Sequence, residues 1–205
     1  MSPIIHLIRH AQGEHNISSE GHAMRDAQLT ADGVRQCSRL ESEFPAFHDV
    51  DLIVASPIKR TVWTALHSFD TRMNDNTLEI IALPELQATS DRLCDTGSSP
   101  KEVAKEFNGM PVDLSLVVPG WDSKQGKWAP DDDAIVQRAE EARAWLRSRP
   151  EKEIAVVTHR TPDSHCRYAR MLTKPRWNDP LSGSWLDGRR SMRVQRLEEY
   201  RIPHM

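Results

Sequence analysis

Ile4-Ile5-His6-Leu7-Ile8-Arg9-His10-Ala11-Gln12-Gly13-Glu14-His15-Asn16 is the stretch that decides how this chain is read. A short apolar run of this kind is the signature of a strand buried on both faces, and such strands belong to parallel sheets covered by helices. In an open α/β sheet, ligands bind beyond the carboxyl ends of the strands. Arg9 and His10 stand at that end, followed by a glycine-containing loop.

Three further apolar runs follow, at residues 51–55, 78–84 and 154–158. Between them lie helical patterns. Thr30 is placed to cap a helix running to about Phe44, with Val34, Leu40 and Phe44 on its apolar face and Pro45 at its end. Ser56-Pro57 can open a second helix, Ser as cap and Pro at the first position, with Ile58, Val62, Ala65, Leu66 and Phe69 at helical spacing. Ile135, Val136, Ala139, Ala142, Trp145 and Leu146 mark a third, closed by Pro150. Strands alternating with helices predict a three-layer α/β/α domain around a mostly parallel central sheet.

The 205 residues suit one domain spanning 1–205. Residues 89–130 are rich in Asp, Ser, Gly and Pro, with a short helix expected over 100–107, and read as an insertion over the edge of the sheet where ligands bind. Trp121 and Trp128 are expected to pack that insertion onto the body. Beyond residue 160 the chain turns arginine-rich, a solvated face or a contact with a second copy in a homo-oligomer.

A net charge of -3 offers no field for nucleic acid or an anionic membrane, so any anion site is local. No leader-like segment and no long apolar window stands out, which predicts a soluble, cytoplasmic protein. Cys37, Cys94 and Cys166 are too few and too scattered for a disulfide framework. His6, His10, His15 and His22 raise the question of a metal, but no HExxH or paired Cys/His spacing accompanies them, and Arg9 opposes a cation, so none is expected.

Arg60 falls in the first turn of the helix after the second strand, where unpaired N–H groups and the helix dipole favour an anion. His159 terminates the last strand. Parallel strands bring Arg9, His10, Arg60 and His159 to one edge of the sheet. Guanidinium forks match phosphate oxygens, and a neutral, oriented histidine can attack phosphorus.

Leu7-Ile8-Arg9-His10-Ala11-Gln12-Gly13-Glu14-His15-Asn16, Leu29-Thr30 with Gly33 and Gln36, Ala55-Ser56-Pro57-Ile58-Lys59-Arg60-Thr61, and Val156-Val157-Thr158-His159 come in one order. In these motifs the chain resembles the histidine phosphatase, or phosphoglycerate mutase-like, superfamily, and in its insertion the fungal branch. Gly183-Ser184-Trp185 is similar to the family's closing segment, which implies an edge strand at 192–197, where alternating charges would protect the edge. The resemblance implies a phosphohistidine at His10 that water later hydrolyses. Arg9, Arg60 and His159 would bind phosphoryl oxygens, with Asn16, Gln12 and Arg160 as further substrate contacts and no metal or organic cofactor.

Two positions depart from the family pattern. Ala88 stands where a carboxylic acid is expected, flanked by Glu85, taken here as its substitute, and by Asp91. Arg160-Thr161-Pro162 stands where small glycines are common. The expected function is hydrolysis of a small phosphomonoester, a mutase sharing the same pocket. The alternative is a repurposed fold that binds an anionic metabolite or performs other chemistry.

Overall fold

The structure, a computed structural model, describes residues 3–73 and 78–159. Arg160, Cys166 and the edge strand expected at 192–197 lie outside the described residues. Five strands form one sheet: β1 (Ile4–Arg9), β2 (Leu52–Ala55), β3 (Ile80–Ala82), β4 (Val112–Asp113) and β5 (Glu153–Thr158). Their order is β1-β5-β2-β3-β4, and every pair is parallel. The helices are α1 (Ala31–Cys37), α2 (Leu40–Glu43), α3 (Lys59–Ser68), α4 (Asp70–Met73), α5 (Pro100–Glu106) and α6 (Asp132–Ser148).

Side chains alternate across a strand, so each strand feeds two cores. Ile53, Ala55, Ala155 and Val157 pack on one face with Val62, Ala65 and Val103 of α3 and α5. Leu52, Val54, Ile154 and Val156 pack on the other with Ala139, Ala142 and Leu146 of α6. These strand residues are buried at 0–5 % exposure, and full burial of each large aliphatic side chain is worth about 1.5–3 kcal/mol. The layered arrangement expected from alternating strands and helices follows from this.

Two expectations need correction. The helix expected from Thr30 to Phe44 is broken into α1 and α2, and Val34 faces outward at 40 % exposure. The buried line runs instead through Gly33, Cys37 and Leu40, then Phe44 beyond the helix end. Ser56 does not cap α3, which begins at Lys59 with Ile58 as its N-cap. The Lys59 N–H is taken instead by the carboxylate of Asp26 at 2.9 Å, a residue far away in sequence. Asp26 also accepts from the Ser98 N–H at 2.8 Å, tying the 89–130 stretch to the start of α3. That stretch supplies α5 and the edge strand β4, and it buries Trp121 and Trp128 as expected.

The chain places β1, moves outward through β2, β3 and β4, and returns with β5 between β1 and β2. This return sets the ends of three strands side by side. Arg9 lies opposite Thr158, Ala55 opposite Val157, and the Ser56 N–H donates to the Val157 carbonyl at 3.1 Å. Among the described residues, no helix is long and apolar enough to cross a membrane.

Candidate active site

The loop after β1 is clamped by hydrogen bonds from α1 and α3. Thr30 accepts the Gly33 N–H at 2.9 Å as the N-cap of α1, and the Thr30 N–H donates to the Gln12 carbonyl at 3.0 Å. Gln36 accepts the Gln12 N–H at 2.8 Å, and Thr64 of α3 accepts the Ala11 N–H at 3.0 Å. A Cβ on Gly33 would come within 2.1 Å of the Gln12 carbonyl oxygen, so only glycine lets α1 approach this closely. The Leu29-Thr30, Gly33 and Gln36 motif therefore positions the backbone that follows His10.

His10 is buried at 6 % exposure. Its Nδ1 lies 2.7 Å from the Ala11 carbonyl oxygen, which can only accept, so Nδ1 carries the proton and the lone pair is left on Nε2. Burial, and then the charges of Arg60 and Arg9, hold its pKa well below the ordinary imidazole range. The ring is thus a neutral base with its nucleophilic nitrogen defined, as attack on phosphorus demands.

Arg60 is 1 % exposed at the start of α3. It donates to the Cys94 carbonyl, to Asp95 Oδ1 at 2.7 Å and to His159 Nδ1 at 3.0 Å. Since guanidinium nitrogens only donate, His159 Nδ1 accepts and Nε2 carries the proton. Nε2 lies 3.1 Å from the Ser56 hydroxyl and donates to it. Burial first, then Arg60 and His10, keep the His159 pKa well below its usual value. The His10 and His159 rings lie 5.2 Å apart, centroid to centroid.

A cavity of about 380 Å³ opens at this edge, lined by Arg9, His10, His15, Asn16, Arg60 and His159, among others. Five residues named from sequence as site candidates (Arg9, His10, Asn16, Arg60 and His159) therefore meet in one concavity. Asn16 holds the loop as well, its Oδ1 accepting the Gly13 N–H at 3.0 Å.

Two other candidates are placed elsewhere. Gln12 is not among the lining residues, and its side chain accepts from the Thr30 hydroxyl at 2.8 Å. Its role here is to fasten the loop to α1. Glu85, expected to replace the acid missing at position 88, sits in a tight turn at Pro84–Leu86 and is held by Lys127 at 2.9 Å, away from the cavity. Arg160 lies outside the described residues. Ala88 does line the cavity, and its carbonyl accepts from Lys124 Nζ at 2.9 Å. Burial, then Arg138, lowers the Lys124 pKa to about 8.

The sequence reading did not place Asp95, His15 or His22 on the cavity wall, nor Ser56 against His159. Asp95 gave no signal because it ends a single 3-10 turn at Leu93–Asp95, and its contact with Arg60 spans 35 positions. His15 was visible in the opening motif, but its neighbour is decided by the turn at Glu14–Asn16, which sets its ring 5.4 Å from that of His10.

Comparison with known proteins agrees with this geometry. The sequence model of the histidine phosphatase superfamily (branch 1) matches residues 5–178. A Schizosaccharomyces pombe protein named "Probable phosphatase" is 29% identical over 157 residues, covering 76% of this chain and 73% of the relative. A phosphoglycerate mutase-like protein of Arabidopsis thaliana is 29% identical over 194 residues, covering 76% and 70%. The crystal structure of an ecdysone phosphate phosphatase from Bombyx mori, in complex with tungstate, shares the fold with a TM-score of 0.54 at 16% identity, over 76% of this chain and 72% of that one.

Proposed function

The chain belongs to the histidine phosphatase superfamily, and on that premise we propose that it hydrolyses a small phosphomonoester through a phosphohistidine on His10. The observation that carries this reading is the hydrogen bond from His10 Nδ1 to the Ala11 carbonyl, which leaves the Nε2 lone pair in a cavity with Arg9 and Arg60. Phosphoryl transfer asks the protein mainly for position and charge stabilisation. In the first step the Nε2 lone pair forms the N–P bond while the ester P–O bond breaks. Water then attacks phosphorus and the N–P pair returns to Nε2.

In this reading Arg9 and Arg60 bind the phosphoryl oxygens, His159 lies beside them with its protons fixed by Arg60 and Ser56, and Asn16 shapes the loop. Fixed donors aimed at developing charge are the largest single source of rate in such sites. Residues 1–205 would form one domain of this kind, acting on a small phosphorylated metabolite.

The test is to incubate the protein with a panel of radiolabelled phosphomonoesters, quench, and look for acid-labile label on the chain. Label and phosphate release are expected from the unaltered protein and are expected to vanish in His10→Ala. Anion binding without phosphate release from any ester would sink the reading.

A further inference from the structure

Hydrolysis of an alkyl phosphate expels an alkoxide, which must be protonated as it leaves. Most groups in the cavity that could carry that proton are already committed. Both oxygens of Asp95 are engaged, Oδ1 by Arg60 at 2.7 Å and Oδ2 by the Ser90 hydroxyl at 2.6 Å. Both nitrogens of His159 are engaged by Arg60 and Ser56. Position 88 offers only a methyl group, and Glu85 is held by Lys127 outside the cavity. Burial pushes the Cys94 thiol above its ordinary pKa, so it holds its proton too tightly.

His15 is different. It lines the cavity beside His10, the residue is 8 % exposed, and its buried Nδ1 has no hydrogen-bond partner among the described residues. A buried polar atom left without a partner costs stability and calls for an explanation. Packing holds the ring where it is: a Cβ on Gly13 would meet the imidazole at 2.8 Å, and one on Gly21 would meet the His15 Cα at 2.7 Å. Two glycines thus make room for an imidazole whose Nδ1 has no hydrogen-bond partner among the described residues.

We propose that His15 carries the proton to the leaving-group oxygen, an assignment that rests on phosphoryl transfer at His10. Nδ1 packs against Gly13, so the proton leaves from Nε2: as the P–O ester bond breaks, its electron pair goes to the leaving oxygen, which takes the Nε2 proton of the His15 imidazolium and departs as an alcohol. Neutral His15 then takes a proton from the attacking water as the N–P bond breaks, and is reset. In the free site, burial and then Arg60 lower the His15 pKa to about 4, with Arg9 and His22 acting in the same direction and Asp95 opposing them. A phosphate dianion between Arg9 and Arg60 offsets both guanidinium charges, which raises the His15 pKa when the ester is bound and favours the imidazolium there.

The test compares 4-nitrophenyl phosphate, whose leaving group needs no proton, with glycerol 2-phosphate, whose leaving group does. In His15→Gln, kcat on the alkyl ester should fall on the order of 100-fold or more, while kcat on the aryl ester stays within about threefold. His22→Gln tests the other imidazole named at the cavity wall outside the His10–His159 pair. Equal losses on both esters in His15→Gln, or no loss on either, overturn the assignment, as does an alkyl-specific loss that appears in His22→Gln instead. Cleavage of the aryl ester alone by the unaltered protein also overturns it, while leaving the phosphohistidine reading intact. Cleavage of neither ester removes both.

Discussion

Arg60 Nη2 donates to His159 Nδ1 across 3.0 Å, joining the start of α3 to the end of β5. The bond settles which His159 nitrogen carries the proton, and Asp95 and the Cys94 carbonyl hold the guanidinium that makes it. One planar, five-donor group serves three acceptors at once, which a lysine ammonium on a flexible stem does not reproduce.

Arg60→Lys should therefore keep the charge and lose the geometry. The expected loss in kcat is about 10²–10³-fold, the cost of removing one fixed donor from a charge-stabilising site. Steady-state kinetics on an aryl phosphate, with circular dichroism to confirm folding, checks this. Near-normal kcat would show that charge alone suffices.

Gly33→Ala tests the clamp on the loop after β1. Alanine is intrinsically better in a helix by about 1 kcal/mol, but its Cβ would meet a backbone carbonyl oxygen at 2.1 Å, and overpacking costs about 1–3 kcal/mol. A lowered Tm with a lowered kcat is expected, because Gln12 must move and the loop from His10 moves with it. A raised Tm with unchanged kcat would mean that the clamp does not position His10.

Stability should depend on pH in a direction set by three imidazoles. His10, His15 and His159 all have folded-state pKa values below 6.5, chiefly through burial. Below pH 6.5 the unfolded chain binds more protons than the folded one, so stability is full above that pH and is lost as pH falls. For His15 the window runs from 6.5 down to about 4. Thermal denaturation should give a Tm that declines from pH 7 to pH 5, above the range where Glu106 and Glu141 begin to titrate, and His15→Gln should flatten that decline. A Tm that rises on acidification would contradict the burial of neutral imidazoles.

Ala88→Glu places a carboxyl group in the cavity beside Lys124, which already donates to the Ala88 carbonyl. Turnover of alkyl phosphates should rise, and turnover of aryl phosphates should rise less, since only the former need a proton on the leaving oxygen. Equal kcat values for variant and unaltered protein on both ester classes would mean that a carboxyl at position 88 does not reach the leaving oxygen.

The fold was legible where physics is local. Apolar runs at β1, β2, β3 and β5 and the apolar period of α6 specify buried strands and an amphipathic helix without reference to any distant residue. The break between α1 and α2 was not legible, because the hydrophobic pattern continues through Leu40 and Phe44 while the backbone turns at Ser38 and Arg39. The cap of α3 was misread for the same kind of reason. Ser56 is a good cap by residue type, but the Lys59 N–H is satisfied by Asp26, which sequence places 33 positions away.

The motifs by themselves placed Arg9, His10, Arg60 and His159 on one edge of the sheet, since parallel strands present their carboxyl ends on one side. Only the tertiary structure decided what each residue does there. It made Gln12 a fastening of the loop, gave Glu85 to Lys127, set Asp95 against Arg60 and left His15 beside His10 with an unpartnered nitrogen. The reason is physical: a residue's chemistry is written in its side chain, whereas its protonation and its partners depend on burial and on charges brought close by folding.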